Sequence, residues 1–248
     1  MADKENLHEG HRQRLKNRFM ESGFNSFETH NILELLLFYS IPRKDTNEIA
    51  HDLLKHFGTL RGVFEAEVSE LVKVKGISEN SATLIKMIPA IAREYLSDKH
   101  ANTRVFDTAE IIANYLMDKF FGETKEIVYV MLLNNSFELI NMVKLYEGNV
   151  NSAHLSPRQI IDLVVRYNAG MVVIAHNHPN GNAYPSLEDI QTTDHLMKSL
   201  KPFDVPLIEH FIITDNEYYP IIFNTSSLKL SSKETCAFYR RSMFKDEN

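Results

Sequence analysis

The chain has 248 residues, 44% apolar and 24% charged, enough for two domains with real cores and unlike a disordered or fibrous composition. Its formal charge of −6, most of it in the second half, counts against a protein drawn to nucleic acid by a strongly basic surface. One cysteine, Cys236, excludes an internal disulfide and a cysteine-built zinc finger, and no apolar run approaches the roughly 18 residues of a spanning helix. The charged start MADKENLHEGHRQRLKNRF has no apolar export region, so the expectation is a cytoplasmic protein without a membrane anchor.

Taken in order, residues 1–100 read as a helical domain. FETHNILELLLFYSI is a helix rich in Leu and Ile that Pro42 ends. TNEIAHDLLKHFG sets Ile49, Leu53, Leu54 and Phe57 at helical spacing, with Gly58 as its stop. VSELVKV is a short third segment, Gly76 turns the chain, and SENSATLIKMIPAIAREYL resumes the period. Polar, aperiodic SDKHANTRVFDT (97–108) marks the domain boundary.

Residues 101–225 change rhythm. TAEIIANYLMDKF is helical, and EIVYVMLLN and SFELINMVKLY are strands joined by an Asn134-Asn135-Ser136 turn. SPRQIIDLVVRYNA is a helix with Pro157 in its first turn, GMVVIAH a buried strand, and SLEDIQTTDHLMKSL a helix. PLIEHFIIT and YYPIIF form a further strand pair. Strands and helices interleave as in a mixed α/β domain, giving an α+β chain overall; the polar tail 226–248 takes no assignment.

VVIAHNHPNGNAYPSLED (172–189) carries the chemistry. In an extended chain residues two apart point the same way, so His176 and His178 present both imidazoles together while Asn177 faces away. Two imidazoles suit a borderline-soft ion such as Zn2+, and the loop could fold Asp189 back as a third ligand, leaving room for water. Each part also has a plainer explanation. His-x-His at a strand end can be surface polarity, and Ser186 and Asp189 fit a capping box at a helix start.

The full spacing, His-x-His, seven residues, Ser, two residues, Asp, resembles the signature of the JAMM (MPN/JAB-domain) zinc metalloproteases. HNHPNG, PSLEDI, SPRQI and EHFIIT look like RadC-type proteins in particular. HRQRLKNRF, IPRKDTNEIAHDLLKHFGTL and LVKVKGIS resemble the helix-hairpin-helix region that precedes the JAB domain there. The resemblance implies a cytidine-deaminase-like JAB fold, zinc on His176, His178 and Asp189, and Ser186 bonding the oxyanion or the metal-bound water. It also implies a general base at Glu126, with Glu123 as the alternative if the register slips. Asn180 stands where the family usually has Ser, Ser156-Pro157-Arg158-Gln159 where it has His-Pro-Arg-Glu, and Glu209 where it has Asp. None is a metal ligand, so these departures bear on substrate preference. His210 reads as a core or surface histidine, with a place beside the site as the alternative.

VKGISEN could set backbone N–H groups at a helix start against a phosphate, with Lys73 and Lys75 flanking Gly76, although Ser78 replaces the second glycine of the hairpin pattern. A plain helix–helix connection fits as well. Two functions follow. One is a zinc-dependent hydrolase of an amide or isopeptide bond in an unidentified peptide or protein substrate. The other is a repair-related protein binding DNA weakly and without sequence preference, its zinc domain non-catalytic.

Overall fold

The first part of the chain is helical: α1 (Ala2–Ser22) is long and mostly polar, and apolar residues three and four apart build α2 (Thr29–Leu37), α3 (Asn47–Phe57), α4 (Leu60–Glu65), α5 (Val68–Leu71) and α6 (Glu79–Asp98). The computed structural model describes residues 2–98, 103, 105–148, 155–179, 181–228 and 238, with side chains from Gly10 onward. Leu33, Leu37, Leu53, Val63, Leu71 and Ile85 meet in the core of this helical part. Gly58 ends α3 in a positive-φ conformation, as its position suggests. Helix α4 was not anticipated, although Thr59 caps it by accepting from the Gly62 amide at 2.9 Å. Gly76 turns the chain into α6 at φ +95°, and a Cβ there would lie 2.7 Å from Ile49 Cδ1, so only glycine fits.

By its internal contacts the chain divides into Met1–Ala92 and Arg93–Asn248. The division falls within α6 and before the polar stretch 97–108, of which residues 99–102 and 104 lie outside the described residues. Arg93 donates to the Phe121 carbonyl at 2.9 Å and pairs with Glu123, which ties the last turns of α6 to the second unit.

In the second unit, α7 (Ala109–Phe120) precedes the hairpin β1 (Glu126–Leu133) and β2 (Leu139–Gly148). Asn134 Oδ1 closes the hairpin by accepting from the Ser136 and Glu138 amides. Then come α8 (Pro157–Tyr167), β3 (Met171–Asn177), α9 (Leu187–Leu200), β4 (Leu207–Ile213), β5 (Tyr218–Pro220) and α10 (Ile221–Asn224). The sheet runs β2-β1-β3-β4-β5, antiparallel except for the β3–β4 pair, which α9 connects as a crossover. All seven residues of β3 are buried, as expected of a central strand covered on both faces. Val172 and Ile174 pack with α8 and α9 residues, whereas Met171, Val173 and Ala175 pack with α7.

YYPIIF departs from the expected strand pair. Only Tyr218–Pro220 is strand, and Ile221–Asn224 forms one helical turn. The buried Glu209 carboxylate accepts from the Ile222 amide at 2.7 Å and the Phe223 amide at 3.2 Å, which winds the chain instead of extending it. The tail assignment falls mostly outside the described residues. Residues 226–228 and Phe238 are the exceptions; Leu228 is buried, and Phe238 is fully buried and stacked on Phe137.

Candidate metal centre

Strand alternation and one register bring the chemistry together. His176 shares the parity of Val172 and Ile174, so it leaves β3 toward α9. Val128 of β1 pairs with His176, which sets Glu126, two residues nearer the start of β1, on the same face beside the histidines. The side chain of Asn177 points the other way and clamps β1 on either side of Glu126. Its Oδ1 accepts from the Ile127 amide at 2.7 Å, and its Nδ2 donates to the Lys125 carbonyl at 2.9 Å.

Asp189 arrives by helix capping. Ser186 is the N-cap of α9, and both halves of a capping box are present. Asp189 Oδ2 accepts from the Ser186 amide at 2.7 Å and from Ser186 Oγ at 2.6 Å. The other oxygen, Oδ1, lies 3.3 Å from His176 Nε2. One carboxylate therefore caps the helix with one oxygen and turns the other toward His176, whereas the group whose ligand atoms all gather within 4.8 Å is Glu126, His176 and His178, with Glu126 where the spacing had suggested Asp189.

His176 Nε2 and His178 Nε2 approach to 3.0 Å. His178 Nδ1 faces the Asn182 carbonyl at 3.0 Å; a carbonyl only accepts, so the ring hydrogen sits on Nδ1 and the Nε2 lone pair faces the centre. The ligand-capable atoms of Glu126, His176 and His178 lie within 4.8 Å of one another. Glu126 is 7% exposed, and its Oε2 is buried with no hydrogen-bond partner. Lone pairs and carboxylate oxygens gathered without hydrogens between them fit a cation. Separations of 3.0 and 3.3 Å match the tetrahedral edge of about 3.3 Å implied by metal–nitrogen bonds of about 2.0–2.1 Å.

Burial pushes the Glu126 carboxyl above its usual range; His178 opposes the shift and Asp189 adds to it. Burial pushes His176 down to about 4, Asp189 pulling upward and His178 downward. Burial also takes His210 well below its ordinary value, and His176 and His178 add to that.

The structure thus assembles His176, His178, Asp189 and Glu126 in one place. Ser186 adjoins them, but its hydroxyl hydrogen goes to Asp189, so here it holds that carboxylate in place. Glu123 is engaged by Arg93, which leaves Glu126 the better placed of the two carboxylates. His210 is buried beside the site, with Nε2 2.9 Å from His176 Nδ1, and not at the surface. Lys73, Lys75 and Gly76 lie in the first unit, where Lys73 pairs with Glu70 at 2.6 Å. Ser156 stands at the N-cap position of α8 without a side-chain capping bond and Pro157 opens the helix, whereas Asn180 lies outside the described residues.

Sequence reasoning missed Asn177, Asn182 and Thr193 as supports. The only signal for Thr193 was its place one helical turn after Asp189, on the same face of α9.

Comparison with known proteins agrees with this geometry. The family described as RadC-like JAB domain matches residues 106–226, a span that contains all four site residues. A UPF0758 protein of Fusobacterium nucleatum subsp. nucleatum is 37% identical over 229 residues, which cover 90% of this chain and 98% of that protein. A match of that length and identity reaches through both units, and the chain belongs to the RadC-like JAB domain family.

Proposed function

We propose that the chain is a zinc-dependent hydrolase of the JAMM type, cutting a peptide or isopeptide bond in a peptide or protein with water as the nucleophile. The unpartnered, buried Oε2 of Glu126 beside two imidazoles is the observation that carries this reading. A carboxylate left without a hydrogen bond at such a place is costly to a fold, and acid–base work is a reason to keep it.

His176, His178 and Asp189 would hold the ion, Asp189 through the oxygen its helix cap leaves over. Zinc there would polarise a scissile carbonyl and acidify a water molecule. Glu126 Oε2 takes a proton from the attacking water and passes it to the leaving amine nitrogen. Its raised proton affinity suits a base working near neutral pH. Asn177 keeps that carboxylate aimed by fixing the backbone on both sides of it. Ser186 steadies Asp189, and serves an oxyanion only where its hydrogen is released from that bond.

Metal analysis together with hydrolysis of peptide- and isopeptide-linked reporters tests the assignment. Wild-type protein should carry about one zinc per chain, as three protein ligands with an open position hold one ion. Asp189→Ala should lose it. Glu126→Gln should keep the zinc while the rate falls by about 10²–10⁴-fold, the usual contribution of a general base. Full zinc occupancy in Asp189→Ala would make Asp189 a helix cap only, and an undiminished rate in Glu126→Gln would remove Glu126 as the base.

The turn at Gly76 supports a second reading, weak contact with DNA through the first unit. Exposed Lys75 precedes a glycine whose φ of +95° turns the chain toward the start of α6.

A further inference from the structure

Behind His176 runs a chain of hydrogen bonds whose direction can be read from chemistry alone. Thr193 Oγ1 lies 2.6 Å from the Asp189 carbonyl oxygen and 2.7 Å from His210 Nδ1. His210 Nε2 lies 2.9 Å from His176 Nδ1. A hydroxyl has one hydrogen and a carbonyl only accepts, so the Thr193 hydrogen goes to Asp189. Thr193 Oγ1 must then accept from His210, which places the His210 hydrogen on Nδ1. A neutral imidazole carries one N–H, so His210 Nε2 is an acceptor and His176 Nδ1 donates to it. The remaining nitrogen of His176, Nε2, is left with a bare lone pair, and it is this atom that faces His178 Nε2 and Asp189 Oδ1. His176 and His210 are 4% and 1% exposed, so water does not compete for these bonds.

We propose that Thr193 and His210 are positioning residues that impose one tautomer on His176, so that its Nε2 is presented to a metal as a lone pair. The relay begins and ends on two ligand residues, the Asp189 backbone and the His176 ring, so it sets their relative placement as well as the tautomer. A ligand histidine whose far nitrogen donates to an ordered acceptor is better oriented and more basic, and removing such a partner typically weakens metal binding by about 10–100-fold. His178 obtains the same tautomer from the Asn182 carbonyl, a loop contact, whereas His176 depends on two side chains from α9 and β4.

The inference rests on the metal reading for its purpose but not for its first test. Nitrogen-15 spectra of the histidine rings in metal-free protein near neutral pH should show His176 and His210 protonated at Nδ1 and bare at Nε2. In His210→Phe, which keeps a buried ring without an acceptor, His176 should lose that single form and populate Nε2–H. Zinc affinity should then fall by about 10–100-fold. His210→Gln can set Oε1 where Nε2 was and should restore affinity to within a few-fold of wild type. Thr193→Val removes the acceptor for His210 and should again populate Nε2–H on His176.

Should His210→Phe fail to fold, the contrast between His210→Gln and Thr193→Val decides the matter. A His176 ring bare at Nδ1 in wild type, or unchanged tautomer and zinc affinity in His210→Phe and Thr193→Val, would overturn the relay. Wild-type protein that shows the predicted tautomer but takes up no zinc would instead overturn the metal reading and leave the relay standing.

Discussion

Glu126 shows how a residue suited to chemistry can burden the fold that holds it. Its folded proton affinity is raised by burial, so the charged form is disfavoured at pH values above the raised pKa and the burden vanishes when the carboxyl is protonated. Metal-free Glu126→Gln should therefore be more stable than wild type near neutral pH, because the amide keeps the shape and removes the buried charge. Chemical unfolding with a chelator present checks this, and the difference should close as the pH is lowered. The histidines work with the opposite sign. His176 is ordinarily half-protonated at 6.5 and is held to about 4 in the fold, so the unfolded chain binds more protons between those values. The contribution of His176 to metal-free stability should thus be complete above about pH 6.5 and be lost as the pH drops toward about 4, which the difference between wild type and His176→Phe would read. A flat profile across that window would mean that His176 charges freely in the native state. The residues themselves were legible at unequal depth. The histidine pair follows from strand parity alone, but the partnership of His210 required a contact across 34 positions that no local pattern carries.

At the level of elements, α9 does more than cover the sheet. Its first turn delivers Asp189, and its second delivers Thr193 to the ring of His210. Ser186→Ala should cost about 1 kcal/mol, as loss of an N-cap does. It should also loosen Asp189 and weaken metal uptake, measurable by titration with a competing chelator. Ser186→Asp, which restores a cap acceptor but sets a second charge beside Asp189, should recover little of the metal affinity. Most elements were legible because their apolar periods are long or their stops are glycine and proline, as with α3 and Gly58. Short pieces were not. Helix α4 spans six residues, and the turn of α10 is held by Glu209, which accepts from its Ile222 and Phe223 amides across 13 and 14 positions.

For the whole molecule, the two units pose different questions. No helix among the described residues is long and apolar enough to cross a membrane. With a net charge of −6, any association of the full chain with DNA should be weak, indifferent to sequence and steeply reduced by salt. Because Lys73 already pairs with Glu70, Lys75→Glu should weaken such binding more than Lys73→Glu, as fluorescence anisotropy at two salt concentrations would show. Tight binding that survives high salt would contradict both the charge argument and the choice of surface. Division of labour between a helical and a mixed part was readable from the change in periodicity. The placing of the division within α6 was not, because it depends on Arg93 meeting Phe121 and Glu123.

Asn177 gives strand pairing a chemical meaning. Neighbouring residues of β1 point to opposite faces, so a slip of one position would swing Glu126 toward α7 and bring Lys125 or Ile127 to the histidines. A carboxylate beside the imidazoles and a buried hydrocarbon differ here by a single step of the ladder. The amide of Asn177 spans the Lys125 carbonyl and the Ile127 amide, the backbone groups on either side of Glu126. It therefore works as a rivet between the end of β3 and the start of β1, set on both sides of the carboxylate from the face opposite the histidines.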